Sequence, residues 1–206
     1  MDPQWLQWAK RIQAIARAGL TYTEGPFDRE RYQALQAIAA EIMAAHSQAD
    51  LPTIHNLLAG DLGYPTPKVD VRGAVFREET ILLVRELQDN GLWTLPGGWA
   101  DVYDTPAQAV EREVYEETGY RVRAVRLLAV YDRDKWGHPP HPNHIYKLFF
   151  LCELLSGEPA ASLETEGAAF FREDAIPPLS LGRTLPAQIA RLFELYRHPE
   201  WPTDFD

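Results

Sequence analysis

The sequence predicts an α/β fold in which a mixed sheet is covered by helices on both faces, with a small helical domain ahead of it. Three observations carry this expectation. Ahead of Gly60, apolar side chains recur at three- and four-residue steps. The stretch "GDLGYPTPKVD", with Gly60, Gly63, Pro65 and Pro67, breaks that pattern. Beyond it, short runs rich in β-branched residues alternate with stretches of helical spacing, the order a sheet with covering helices requires.

Composition limits the functions available. The chain has 206 residues, 46% of them hydrophobic, which is enough apolar mass for a proper core. With 30 acidic against 20 basic side chains, the formal net charge is -10, which argues against broad attraction to nucleic acid or anionic membrane. The single cysteine, Cys152, lies in the apolar run "LFFLCELL". No internal disulfide can form, and a buried strand position is its expected role. The opening "MDPQWLQWAKRIQAIARAGL" lacks the continuous apolar core of a signal peptide, and no stretch is long and apolar enough to span a bilayer. A cytoplasmic protein is expected.

From Pro3 to Ala18, Trp5, Trp8, Ile12, Ile15 and Ala16 mark an amphipathic helix, with Gly19 as its stop. Tyr32, Leu35, Ile38, Ala39, Ile42 and Met43 mark a second, after "GPFD", where Pro26 breaks the chain and Asp28 supplies a cap. Two helices cannot enclose a useful core, so their apolar stripe needs a partner surface, from the rest of the chain or from a second subunit. The boundary is placed near residue 66: a helical dimerisation domain and linker over 1–66, and a second domain over 67–206. In that domain "VDVRGAVF" and "TILLVREL" form a hairpin about "REET", and a helix spans residues 106 to 118. Three more strands follow in "VRAVRLLAVYD", "IYKLFFLCEL" and "GAAFFRE". Leu185, Ile189, Leu192, Phe193 and Tyr196 then return to helical spacing.

The middle helix carries the chemistry. Asp104, Thr105 and Pro106 mark its start and Gly119 its end. Glu113, Glu116 and Glu117, three and four residues apart, share one face, where like charges cost roughly 0.2–0.5 kcal/mol per pair. Arg112 alone is near, and its place just before Glu113 points it to another side. Most charge runs are solvated faces. The other use of such carboxylates is a divalent cation site, because hard cations take oxygen ligands and also bind phosphate.

The wider stretch separates the two. Gly98, then five residues to Asp104, then seven more to "REVYEETGY", resembles the Nudix box. Gly98, Arg112, Glu113, Val114, Glu116, Glu117 and Gly119 fit that pattern. Asp104 stands where the family has glutamate, and Tyr120 where an aliphatic residue is usual. The resemblance implies a Nudix α/β/α sandwich that hydrolyses a nucleoside diphosphate linked to another group, X. It implies magnesium, with manganese as the alternative, held by Glu113, Glu116, Glu117 and the carbonyl of Gly98, while Asp104 pairs with Arg112. The catalytic candidates are Glu113, Glu117 and Glu166, with Glu117 or Glu166 of "LETEGAAFF" taking the proton of the attacking water.

The segments "WAKRIQAIARAGLTYTEGPFDRERY", "LPGGWADV", "LAVYDRDKWGHPP" and "YKLFFLCEL" extend the resemblance to a bacterial subfamily related to CDP-choline pyrophosphatase. This implies a homodimer that cleaves CDP-choline to CMP and phosphocholine. ADP-ribose or another nucleoside diphosphate sugar is the second substrate, and RNA trimming from the 3′ end a related alternative. A non-catalytic nucleotide sensor is the rival from another class, and the three retained carboxylates favour catalysis over it.

Substrate contacts are read more weakly. Trp93, Trp99 and Tyr131 offer flat faces for a base, and Arg72, Arg85 and Lys147 offer phosphate or base contacts. Core packing and solvated strand faces compete with each of these. Trp136 is the one candidate for a cage about choline. His138, His141 and His144 lie among prolines with no cysteine beside them, a substrate-contacting or polar loop rather than a zinc site. Arg121, Arg123 and Arg126 read as an exposed strand face.

Overall fold

A computed structural model describes residues 2–59, 63–160 and 165–206. They divide into two units, Met1–Pro67 with Pro140–His144, and Lys68–Pro139 with Ile145–Asp206. Gly60 of the linker stretch lies outside the described residues, and Gly63 to Pro67 is neither helix nor strand.

The first unit holds three helices, α1 (Gln4–Tyr22), α2 (Pro26–Ala45) and α3 (Leu51–Ala59). Gly19 does not end α1. The ring of Tyr32 lies where a side chain at 19 would begin, 2.3 Å from an ideal Cβ, so glycine is there to admit the neighbouring helix. The buried face of α1 is Leu6, Ala9, Gln13 and Ala16, leaving Trp8 and Ile15 exposed. Small alanines let the helices approach closely, so Trp8 and Ile15 of the predicted stripe turn outward while Trp5 stays packed at the edge of the core. Asp28 does not cap α2. Gly25 occupies that position, and Asp28 pairs with Arg31 at 2.8 Å. Helix α3 is absent from the sequence reading, although its signal is present: Asp50 Oδ1 accepts the Thr53 N–H at 2.9 Å. Leu6, Ala9, Ala40, Met43 and Ile54 bring the three helices onto one small core.

The second unit runs β1 (Lys68–Arg77), β2 (Thr80–Glu86), β3 (Trp93–Thr94), α4 (Pro106–Thr118), β4 (Arg121–Asp132), β5 (Ile145–Ser156), β6 (Thr165–Arg172), α5 (Pro186–Arg197) and β7 (Asp204–Phe205). Its sheet is mixed, in the order β3-β2-β1-β5-β4-β7, with β6 also on β2. β1 pairs parallel with β5 from Lys68↔Ile145 to Val75↔Cys152, while its hairpin with β2 is held only at Phe76↔Ile81 and Arg77↔Thr80. Strands β3 and β7, two residues each, are too short to leave a periodic signal.

Alternation along β1 builds two cores. Val71 and Val75 face Ala109, Val110 and Val114 of α4. Ala74 and Phe76 face Ile189, Leu192 and Phe193 of α5. Each buried Val- or Leu-sized side chain contributes roughly 1.5–3 kcal/mol. Gly73 lets α4 lie against the sheet, since a Cβ there would meet Val114 Cγ2 at 2.6 Å. Cys152 is buried in the α4-side core. Among the described residues no helix is long and apolar enough to cross a membrane.

Candidate active site

The segment after β3 lies along β1. Gly73 N–H donates to Pro96 O at 2.8 Å, Val71 N–H to Gly98 O at 2.8 Å, and Ala100 N–H to Val69 O at 3.0 Å. Gly97 sits between two of these bonds with φ +138, and a Cβ there would lie 2.0 Å from the Val71 carbonyl oxygen. Only glycine fits so close a backbone approach. Its N–H donates to Glu117 Oε2 at 2.7 Å, and a Cβ on Gly98 would lie 2.7 Å from Glu113 Oε2. Two carboxylates thus close on one glycine pair. The carbonyl of Gly98, expected among metal ligands, accepts the Val71 N–H and so also fastens the loop to β1.

Helix α4 presents those carboxylates. Thr105 and Gln108 form a reciprocal capping box, Pro106 opens the first turn, and Gly119 closes the helix with φ 76. Thr165 Oγ1 donates to the Glu117 carbonyl at 2.7 Å and ties the start of β6 to the last turn. Arg112 does not point away from the glutamates. Its Nη1 donates to Glu113 Oε1 at 2.8 Å and to Glu116 Oε2 at 3.1 Å. Its Nε donates to Asp104 Oδ2 at 3.1 Å, and Nη2 lies 3.2 Å from Asp101. A long, flexible side chain reaches back over its own helix, which position on a helical wheel does not reveal.

Glu117 is 6% exposed. Burial pushes its pKa up to about 8, opposed by the Arg72 guanidinium and the Gly97 N–H, with Glu86 and Glu113 adding to the rise. Glu113 is also raised, by burial first, with Arg112 acting against it and Glu116 with it. One guanidinium thus serves Asp101, Asp104, Glu113 and Glu116, and Glu117 stands beyond it: anionic oxygens in excess of the cations that face them.

The other predicted residues separate. Arg72 and Lys147 are not placed for substrate. Both are buried on Asp70, because their strands turn these side chains inward between sheet and α5. Burial drives Lys147 down to about 8, against the pull of Asp70. Tyr131 is buried too. Its ring packs on Phe149 and Trp136, and its hydroxyl donates to Asp204 at 2.7 Å, so no face is open to a base. Trp136, the cage candidate, is occupied by that packing and by a bond from Nε1 to Asp206 at 2.9 Å. Glu166 stands at the start of β6 rather than in a loop, ion-paired with Arg85 at 2.8 Å, and Arg85 also donates to Gly91 O. Trp93 packs edge-on against Phe171, whereas Trp99 remains half exposed beside the glycine pair.

His138 is a core histidine. Its Nδ1 bonds the Leu181 carbonyl at 2.7 Å and its Nε2 meets Gln188 at 3.1 Å, and burial lowers its pKa to about 4. Arg123 pairs with Glu153, Arg126 donates to the Leu195 carbonyl, and Arg121 lies over the Tyr115 ring. No basic stripe is left by these three. The sequence reading missed Gly97, Asp70 and Asp101. The doubled glycine in "PGG" was the signal for the first, and the two-residue spacing of Asp70 and Arg72 for the second.

The chain is similar to known proteins over its whole length. Residues 66–193 match the NUDIX domain, and residues 3–58 match the family described as "UDP-X-like, N-terminal oligomerisation domain". A Bacillus subtilis (strain 168) protein named "Putative ADP-ribose pyrophosphatase YjhB" is 50% identical over 100% of this chain and 99% of its own length. A solved UDP-X diphosphatase is 34% identical with a TM-score of 0.65, over 98% of each chain. An ADP-ribose pyrophosphatase from Streptococcus suis 89-1591 is 44% identical with a TM-score of 0.63, over 68% of this chain and 100% of its own. By motif, by fold and by these matches, the chain belongs to the Nudix hydrolase family.

Proposed function

We propose that this hydrolase cleaves the pyrophosphate of a nucleoside diphosphate linked to a sugar, with ADP-ribose first, and depends on a divalent cation. The observation that carries it is the convergence of Glu113 and Glu117 on the Gly97–Gly98 pair, with Glu116 joined to Glu113 through Arg112. This donor set fits a hard dication: carboxylate oxygens only, in excess of nearby cations, one of them buried and costly to ionise alone. Glu113, Glu116 and Glu117 would hold it. When bound it supplies charge neutralisation for the pyrophosphate and acidifies water. Of the chain's own groups, Glu117, held in place by the Gly97 N–H, is the one assigned to accept a proton from the attacking water once the dication keeps its carboxylate ionised. Arg112 spaces the carboxylates, and the Gly97 N–H fixes the orientation of Glu117. Glu166, held by Arg85, is the weaker base.

ADP-ribose ranks ahead of CDP-choline for two reasons. One face of Trp136 is taken by Tyr131 and its indole nitrogen by Asp206, and the relatives at 50% and 44% identity carry ADP-ribose pyrophosphatase names. Trp99 keeps a flat face for a base. A panel of ADP-ribose, UDP-sugars, CDP-choline, nucleoside triphosphates and short RNA, each with magnesium or manganese, tests this. ADP-ribose should yield AMP and ribose 5-phosphate at the highest kcat/KM. Tenfold faster turnover of CDP-choline would reverse the order, RNA degradation alone would move the assignment to an exonuclease, and an inert panel would refute it.

The buried acid also predicts a pH dependence. In the folded, metal-free protein Glu117 keeps its proton to about pH 8, against 4.5 when unfolded. The stability this gives is complete below about 4.5 and is lost as pH rises through about 8. Between pH 6 and pH 8.5 urea unfolding should show the metal-free wild type lose about 2–3 kcal/mol more than Glu117→Gln does, at about 1.36 kcal/mol per unit, while His138 and Lys147, both lowered by burial, act on the two proteins alike. Magnesium should restore most of this at pH 8.5. Parallel metal-free profiles for wild type and Glu117→Gln contradict it.

The first unit is proposed as the protomer contact. Trp8, Ile15 and Tyr22 recur every seventh residue on α1 and are exposed, a stripe of apolar surface that a second copy would cover. Removing residues 1–67 should convert a dimer to a monomer in light scattering. A truncated chain that remains a dimer excludes it.

A further inference from the structure

Asp70, Arg72 and Lys147 form a charged cluster that the hydrolysis as described does not use. Parallel register sets Asp70 directly opposite Lys147, and Arg72 follows two residues on, on the same face of β1. All three are buried: Lys147 is 0% exposed, Arg72 4% and Asp70 7%. Lys147 Nζ donates to Asp70 Oδ2 at 2.6 Å. Arg72 Nε donates to Asp70 Oδ1 at 2.7 Å, and Nη2 to Oδ2 at 3.2 Å.

The remaining nitrogen of the fork, Nη1, reaches outside the cluster. It donates to the Leu95 carbonyl at 3.0 Å, which the Thr94 hydroxyl shares at 3.3 Å. Leu95 is two residues before Gly97, whose N–H meets Glu117. Buried ion networks of this kind seldom stabilise a fold more than apolar residues of equal volume would. Their usefulness lies in direction. A planar guanidinium can grip a carboxylate with two nitrogens and a carbonyl with the third, which a lysine cannot.

We propose that the Lys147–Asp70–Arg72 cluster is a positioning clamp for the catalytic loop. Lys147 locks Asp70, Asp70 fixes the plane of Arg72, and Arg72 seats Leu95 to Gly98 so that the Gly97 N–H arrives at Glu117. None of the three touches substrate. The assignment rests on Glu113, Glu116 and Glu117 being the catalytic carboxylates.

Arg72→Lys keeps a cation beside Asp70 and removes the bond to Leu95. With intact thermal unfolding, kcat should fall about 10- to 100-fold, KM should change less than threefold, and Mn2+ binding, read by electron paramagnetic resonance of the free ion, should weaken about tenfold. The triple variant Asp70→Leu, Arg72→Met, Lys147→Met removes the cluster's ion pairs together and leaves Glu86 its bond to Arg183. It should fold at least as stably and show the same kinetic loss. Wild-type kcat and Mn2+ affinity in either folded variant would overturn the clamp. Failure of both variants to fold would also overturn it, by making the cluster a stability element. Glu117→Gln in the same assay separates the layers. If it is inactive while Arg72→Lys is fully active, only the clamp fails; if Glu117→Gln is fully active, the reading beneath it fails.

Discussion

Glu117→Gln is expected to lower kcat/KM by about 1000-fold, the scale on which a proton acceptor and an anionic ligand each count. The amide keeps the shape of the side chain and can still accept the Gly97 N–H, so the loop should stay seated. What it loses is charge and basicity. The same substitution should make the metal-free protein more stable at pH 8.5, because no buried carboxylate must then ionise. Magnesium should accordingly raise the melting temperature of the variant less than that of the wild type. Loss of activity with a gain in metal-free stability is a pairing that general unfolding cannot produce. A variant that keeps full turnover would remove Glu117 from the reaction.

Gly97→Ala should be the most damaging single methyl group in the second unit. At φ +138 an alanine is strained wherever it sits, and here its Cβ would lie 2.0 Å from the Val71 carbonyl oxygen and 2.9 Å from Arg72 Cα. Both obstacles are backbone of β1, so the loop itself must move. A loss on the order of 3 kcal/mol, and at least a 100-fold fall in kcat, follow from the strain and from misplacing the N–H that meets Glu117. Gly98→Ala makes an instructive comparison. Its Cβ would meet the end of the Glu113 side chain, 2.7 Å away, which can swing aside. It should unfold near the wild type and lose activity through Glu113. Gly182→Ala, with open space about it, should match the wild type in both respects. If Gly97→Ala melts and turns over like Gly182→Ala, the close approach of loop to β1 has no functional weight.

Much of the architecture was legible because it depends on local spacing. Pro106, Gly119 and the three- and four-residue steps between Glu113, Glu116 and Glu117 specify a helix with acids on one face, whatever surrounds it. The strands of the second unit could be read for the same reason: runs such as "VDVRGAVF" are continuous because β1 is buried on both faces. Failures cluster where a long side chain or a distant neighbour decides. Arg112 folds back over Glu113 and Glu116, Gly19 admits Tyr32 instead of ending α1, and α1 buries Ala9 and Ala16 while leaving Trp8 and Ile15 exposed.

By itself the sequence determined the helix and its three glutamates, the mixed sheet with its two coverings, and the helical segment ahead of them, since all arise from periodicity and backbone chemistry. Tertiary structure alone decided what Arg72, Lys147 and Tyr131 are for. A basic or aromatic residue on a strand looks alike whether it faces solvent, substrate or core, and only the pairing of β1 and β4 with β5 and the packing beneath α5 turn these three inward. The raised proton affinity of Glu117 belongs to the tertiary structure as well, because burial beside Gly97 and the field of Glu86 come from residues far apart in the chain, with only Glu113 a neighbour on its own helix.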